Sequence, residues 1–335
     1  MNTLRSKEVR LALAEQAFSS TVDFDAARQF LGALGKPKGS IRLRGFYAKS
    51  DPRKAEDRGA KGEPTKALVE SWVADKRGVY VVINNGGDKD ADITECIALF
   101  VEWDDKPKDW QLTAWQELGL PEPSLQVDTG GKSIHSYWIL SEPVSPEAWK
   151  SVQSRLLEYA GADRSLKNPF RVMRLPGTPH PETGVLAQVI HQSDSRPDIG
   201  DFDRHLPEPQ REGHHRAART FTDYEAQGLD EIRDALAAIS PRVPGTGTYD
   251  IYHNLLWGLI KAVEEAGGNA DTAIGLMAAH SPQWKGIDQV ASSGGEQTSA
   301  GTFWYWAKEN GYRQPHRRRS SARRPPSSSR RIRRC

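Results

Sequence analysis

Apolar positions recur every three or four residues over VDFDAARQFLGALGK, which predicts a helix that Asp23 or Asp25 opens and Gly35 stops. The same spacing over TKALVESWVADK sets Leu68, Val69, Trp72 and Val73 on one helical face, and PEAWKSVQSRLLEYAG does so with Trp149, Val152, Leu156 and Leu157 behind Pro146. Between these helices the period changes to two. In IRLRGFYA, Ile41 and Leu43 alternate with Arg42 and Arg44, which predicts a half-buried strand with a basic outer face. VYVVIN and IALFVEW are continuous apolar runs and read as interior strands, the second ending on acids where it reaches an open surface. SLQV and SIHSYWIL flank DTGGK, the length and composition of a hairpin connection, and VLAQVI predicts one more strand.

Strands and helices alternate without a regular βαβ rhythm, so the expected class is α+β, a mixed sheet with flanking helices. Residues 201–222 are polar and Pro-containing and read as a linker after a first domain of residues 1–200. From 223 to 312 only helical patterns remain: LDEIRDALAAI, YHNLLWGLIKAVEEAG, ADTAIGLMAAH and TFWYWAKENG. They predict a small all-helical domain, followed by a basic, disordered tail over 313–335.

Composition narrows the class of protein. At 335 residues with 37% hydrophobic and 27% charged positions, the chain is a water-soluble globular type with room for two cores. No apolar run approaches the roughly 18 residues of a membrane span, and the first residues lack a signal-peptide apolar block, so a cytoplasmic protein without a membrane partner is expected. Two cysteines, Cys96 and Cys335, cannot build a disulfide framework or a Cys-rich zinc site. The net charge of +2 conceals an asymmetry: residues 316–335 hold nine arginines and no acid, leaving 37 bases against 44 acids, net −7, for the rest. Such a tail attracts phosphate without regard to sequence.

Candidate chemistry begins at FVEWDD. On a strand, residues i and i+2 share a face, so Glu102 and Asp104 project together while Trp103 and Asp105 take the other side. Adjacent carboxylates repel, and a divalent cation relieves that repulsion; an acidic strand end in solvent would carry the same pattern. In GGKSIH, Ser133 and His135 again share a face, Gly130 and Gly131 allow close backbone approach and Lys132 offers a cation, features of a phosphate cradle or of an ordinary hairpin. The segment ADRS supplies Asp163, and PFRVMRLPGT supplies Arg171 and Arg174, whose guanidinium forks suit phosphate.

The order FVEWD, GGKSIH, then AD with a downstream RVMRLPGT resembles the three motifs of the archaeo-eukaryotic primase superfamily, nearest to the RepB-like primases and primase-polymerases of plasmids, phages and mobile elements. The likeness spans about Leu43 to Ile190, and the segment from about Leu229 to Tyr312 resembles a primase C-terminal helical domain. It implies a catalytic fold related to the RNA-recognition motif, with Glu102, Asp104 and Asp163 as catalytic acids holding two Mg2+ or Mn2+ ions, Asp105 competing with Asp163 for the third place. It implies that Lys132, Ser133, His135, Arg171 and Arg174 bind the nucleotide, with Arg42, Arg44 and Lys49 offered to DNA. Relatives often carry Asp where this chain has Glu102, which lengthens the ligand by one methylene.

The activity implied is a nucleotidyltransferase that makes short primers from NTPs or dNTPs on single-stranded DNA, with unwinding left to a separate replicative helicase. A metal-dependent nuclease using the same acids and a non-catalytic DNA-binding replication initiator are the competing readings.

Overall fold

The computed structural model of the chain describes residues 21–210, 228–295 and 297–313. Asp23 accepts the Ala26 amide at 3.0 Å and so caps α1 (Phe24–Ala33), whose buried face is Ala27, Phe30 and Leu31. The strand β1 (Leu43–Tyr47), the short β2 (Ala60–Gly62), helix α2 (Lys66–Ala74) and strand β3 (Arg77–Val82) follow. With β8 (Val172–Arg174) they form a first sheet in the order β2-β1-β3-β8. Trp72 of α2 lies flat on Gly45 of β1, where an added Cβ would meet the indole at 2.9 Å.

The second sheet holds the acidic strand. β4 (Asn85–Gly86), β5 (Ile93–Val101), β6 (Leu125–Asp128), β7 (Ile134–Val144) and β9 (Gln188–Gln192) line up as β4-β5-β7-β6-β9. Every ladder pair in both sheets is antiparallel among the described residues, so the expected mixed sheet is corrected while the α+β class holds. The reason is topological. Helix α3 (Lys108–Glu117) carries the chain from β5 to β6, which run the same way, but β7 inserts between them from the β6–β7 hairpin. α3 itself lies in a stretch where the apolar pattern predicts no helix, since its buried face is only Gln111 and Ala114.

Helix α4 (Pro146–Ala160), capped by Ser145, fastens β5 from behind. Trp149 Nε1 donates to the Ala98 carbonyl at 2.7 Å, and Gln153 Nε2 donates to Phe100 O at 2.7 Å while its Oε1 accepts the Phe100 amide at 3.3 Å. A buried Gln is tolerated there because both ends of its amide are paired.

Residues 201–206, expected as the start of a linker, join the first core instead, and residues 211–222 of the expected linker lie outside the described residues. Helix α5 (Ile199–His205) buries Phe202 fully and Leu206 follows it into the first apolar core. The helices α6 (Leu229–Ala237), α7 (Tyr249–Glu265), α8 (Ala270–His280), α9 (Ile287–Ser292) and α10 (Ala300–Glu309) enclose a second apolar core around Tyr252, Leu256, Met277 and Phe303, which shares no residue with the first. Polar contacts join the two: Arg155 Nε donates to Gly245 O at 3.0 Å, the Gly247 amide donates to Glu158 Oε2 at 3.1 Å, and the Arg164 guanidinium lies 3.2 Å from the Tyr249 ring centre. The basic tail from 316 onward lies outside the described residues.

Candidate nucleotide site at the end of the second sheet

β5 and β7 pair with Val101 opposite Ser136 and Phe100 opposite Tyr137. Continued past the last ladder bond, this register brings Glu102 to His135 and Asp104 to Ser133. The side chains meet accordingly: His135 Nε2 is 2.6 Å from Glu102 Oε2, and Ser133 Oγ donates to Asp104 Oδ1 at 2.9 Å. Trp103, between the acids, is 2% exposed and donates from Nε1 to Ala160 O at 3.0 Å, so its burial under α4 turns both carboxylates to the other side.

The two acids differ in environment. The Glu102 side chain is 14% exposed and that of Asp104 is 62% exposed. Burial pushes the Glu102 carboxyl toward its neutral form, but the charge and hydrogen bond of His135, helped by Arg171 and Arg174, outweigh burial and hold it below the ordinary carboxylate range. On its other nitrogen, His135 Nδ1 lies 3.1 Å from the hydroxyl of Tyr137, which is itself fully buried. His135 therefore spans Tyr137 and Glu102.

The GGKS turn is held by residues that strand and motif patterns do not single out. Lys108 Nζ contacts both oxygens of the buried Asp128, at 2.6 and 2.8 Å, and Asp128 Oδ1 accepts the Gly130 amide at 2.9 Å. Gln111 accepts the Ile134 amide at 2.7 Å and donates to Lys132 O at 3.1 Å. Gly130, at φ +74, has no room for a side chain, since a Cβ there would stand 2.3 Å from Val185 O. Lys132 itself is 70% exposed, with Nζ 3.7 Å from Asp104.

Asp163 stands close by through its backbone, its amide donating to Glu102 O at 2.9 Å. Its carboxylate turns to its own turn: Oδ1 accepts the Ser165 amide at 2.9 Å, Oδ2 accepts Ser165 Oγ at 2.6 Å, and Arg171 Nη2 lies 3.8 Å away. Asp105 receives Gln289 Nε2 of α9 at 2.6 Å and sits 3.2 Å from Lys106. Arg171 Nη2 donates to Ser165 Oγ at 2.8 Å. Arg174 is buried over Tyr80, its Nη2 donating to the phenol oxygen at 2.7 Å.

Of the basic residues offered to DNA, Arg44 requires a correction. It is 4% exposed, bonded to Asp88 and laid against the Phe170 ring at 5.1 Å, because loops from both neighbouring segments cover that face of the first sheet. It is a structural ion pair rather than part of a basic outer face. Arg42 bonds to the carbonyls of Gly39 and Ile41, Lys49 is exposed beyond β1, and neither contacts the Glu102 cluster among the described residues.

Among the described residues no three acid, His or Cys side chains converge as a ready-made metal cage. The donor set still fits a hard divalent ion, because Mg2+ is commonly held by one or two carboxylates with substrate phosphates completing the shell. Glu102, held ionised, and the exposed Asp104 are such a pair.

Among solved structures, the chain is 40% identical to the AEP domain of the cyanophage S-2L primase-polymerase, a match covering 56% of this chain and all of that one with a TM-score of 0.53. The catalytic domain of primase RepB′ in complex with initiator DNA and primase RepB′ also match, each at 14% identity and a TM-score of 0.41, covering 54% and 86% of this chain and 92% and 93% of theirs. No protein-family model and no curated protein matches the chain.

Proposed function

The chain belongs to the archaeo-eukaryotic primase superfamily, and we propose that it is a DNA primase-polymerase that builds short primers on single-stranded DNA. The observation that carries this reading is the 40% identical match to the whole of a primase-polymerase AEP domain. The paired strands that bring Glu102 and Asp104 against His135 and Ser133 support it.

In this reading Glu102 and Asp104, with Asp163 as the third acid, hold the divalent ions, Mg2+ or Mn2+. Bound there, a divalent ion supplies charge neutralisation to the phosphates. The protein's own part is positioning. Ser133, Lys132, Arg171 and Arg174 hold the nucleotide, and His135 holds Glu102 ionised and oriented. A 3′-hydroxyl then forms a bond to the α-phosphorus as the bond to the β-phosphate oxygen breaks and pyrophosphate leaves. Base pairing selects the nucleotide, so the protein has to grip only backbone and triphosphate.

Residues up to about 210 form the catalytic domain and the helices from Leu229 form a domain for initiation. Arg155, Glu158 and Arg164 link the two. The surroundings implied are those of intracellular replication, with a separate helicase opening the template.

Incubation of the protein with circular single-stranded DNA, labelled NTPs or dNTPs and either Mg2+ or Mn2+ tests this. Short products that require both metal and template are expected. Absence of products in every combination would refute the reading.

A further inference from the structure

The loop after β8 brings a histidine to the GGKS turn. Pro179 bridges to Leu186, the His180 amide donates to Val185 O at 2.8 Å and the Gly184 amide returns to His180 O at 2.8 Å, so the loop is internally tied. It is then pinned to the turn by Thr183 Oγ1, which donates to Gly130 O at 2.7 Å. The imidazole of His180 covers Gly131 so closely that a Cβ at 131 would stand 2.9 Å from its Nε2.

The hydrogen bonds settle which nitrogen carries the proton. Nδ1 faces the amides of Glu182 and Thr183 at 3.3 and 3.4 Å and must accept, which leaves the hydrogen on Nε2. Burial, and then the Arg174 charge, hold the ring's pKa down to about 4, so the imidazole is neutral. No residue accepts from Nε2 among the described residues.

Arg174 lies beside this loop: its Nη1 and Pro181 both crowd the Cβ position of Gly78, at 2.4 and 3.0 Å. Arg174 is 5% exposed, yet its Nε and Nη1 are buried with no hydrogen-bond partner and no carboxylate pairs with it among the described residues. Glu102 and Glu182 act on this guanidinium only at a distance, so a buried charge with two unpaired donors remains costly, and an anion that pairs with those donors offsets the cost. Lys108, whose Nζ pairs with Asp128, lies near enough to act on the His180 ring.

We propose that His180 and Arg174 form a subsite for the terminal phosphates of the incoming nucleoside triphosphate, in which His180 is the uncharged Nε2–H donor and Arg174 the charged fork. The proposal rests on the nucleotidyltransferase reading for the identity of the ligand. A neutral donor suits this place because it orients a phosphate oxygen without adding another cation to Arg174 and Lys108. It also gives Gly131 a reason: any side chain there would displace the imidazole.

The test uses the full chain, inorganic tripolyphosphate, ATP and a short oligothymidylate as probes, with binding followed by calorimetry. His180→Asn keeps an acceptor where Nδ1 stands and removes the Nε2 donor, whereas His180→Gln keeps a donor near Nε2. His180→Asn should weaken tripolyphosphate and ATP by about 10- to 100-fold, the loss of one hydrogen bond to a charged group, and leave oligothymidylate binding and the melting temperature unchanged. His180→Gln should keep most of the affinity. In primer synthesis, KM for the nucleotide should rise in His180→Asn with kcat little altered.

Wild-type affinity for tripolyphosphate in His180→Asn would make His180 a post for its loop and overturn the proposal. Loss of oligothymidylate binding with ATP unaffected would overturn it too, by giving the phosphate to the template strand. So would a wild-type protein that binds no tripolyphosphate. Because these measurements need no synthesis, tripolyphosphate binding that depends on His180 in a protein that makes no primers would defeat the proposed function and leave the subsite standing.

Discussion

His135 Nε2 stands 2.6 Å from Glu102 Oε2 on the strand next door. Resemblance puts His135 at the triphosphate, while in the proposed function its bond to Glu102 makes it a positioning residue for a metal ligand. His135→Ala should therefore weaken Mn2+ binding in the absence of nucleotide by about 10- to 100-fold, the range seen when a partner of a metal ligand is removed. Titration followed by the electron paramagnetic resonance of free Mn2+ measures it, and unchanged Mn2+ affinity with weakened ATP binding would return His135 to the nucleotide.

The four acids should separate by assay. Glu102→Ala and Asp104→Ala should abolish primer synthesis; the exposed Asp104 should leave melting little changed, whereas Glu102→Ala, which strips the buried His135 of its partner, should lower it. Asp163→Ala removes both the third acid and the cap on Ser165, so it should lose synthesis and also about 1 kcal/mol of stability. Asp105→Ala should retain synthesis. A mild Asp163→Ala beside a severe Asp105→Ala would reassign the third acid.

Arg44→Ala should act on stability and not on DNA. Its guanidinium is buried, whereas Asp88 is 42% exposed and can be solvated after the change, so a loss of about 1 to 3 kcal/mol is expected in urea unfolding. A normal melting curve with a shallower salt dependence of oligonucleotide binding would restore Arg44 to the DNA surface.

His180 sets a pH dependence. Its folded pKa, about 4, is depressed from 6.5 by burial first and then by Arg174 and Lys108 against Glu182, so the folded state binds fewer protons than the unfolded between those values. Its contribution is intact above pH 6.5 and is lost as the pH falls toward 4. Urea unfolding across that window should show wild type losing stability relative to His180→Asn. Parallel curves would mean that the imidazole titrates normally.

Deleting residues 316–335 removes nine arginines. The slope of log affinity for single-stranded DNA against log salt should fall by about 0.7 for each phosphate that the tail no longer neutralises, with kcat at saturating template unchanged. An identical slope would make the tail an appendage.

Much of this protein is written locally. The period of two sets Glu102 with Asp104 and Ser133 with His135 on common faces, Asp23 and Ser145 announce helix starts, and the helical spacing beyond residue 229 separates the second core from the first. Local pattern also misleads: alternation in β1 sets Arg44 outward, but alternation tells only which residues share a face, and covering loops decide which face meets water. α3 escapes notice because its buried positions, Gln111 and Ala114, carry little apolar signal.

Tertiary structure alone decided that β7 rather than β6 lies beside β5, and in the one register that opposes Glu102 to His135. A slip by one residue would turn one strand's pair to the opposite face, and nothing within either segment specifies the partner. It likewise delivered His180 to the GGKS turn from more than 40 residues downstream. Side chains that distant meet only when the whole core closes around them, because the entropy of closing the intervening loop is repaid by packing that no short window contains.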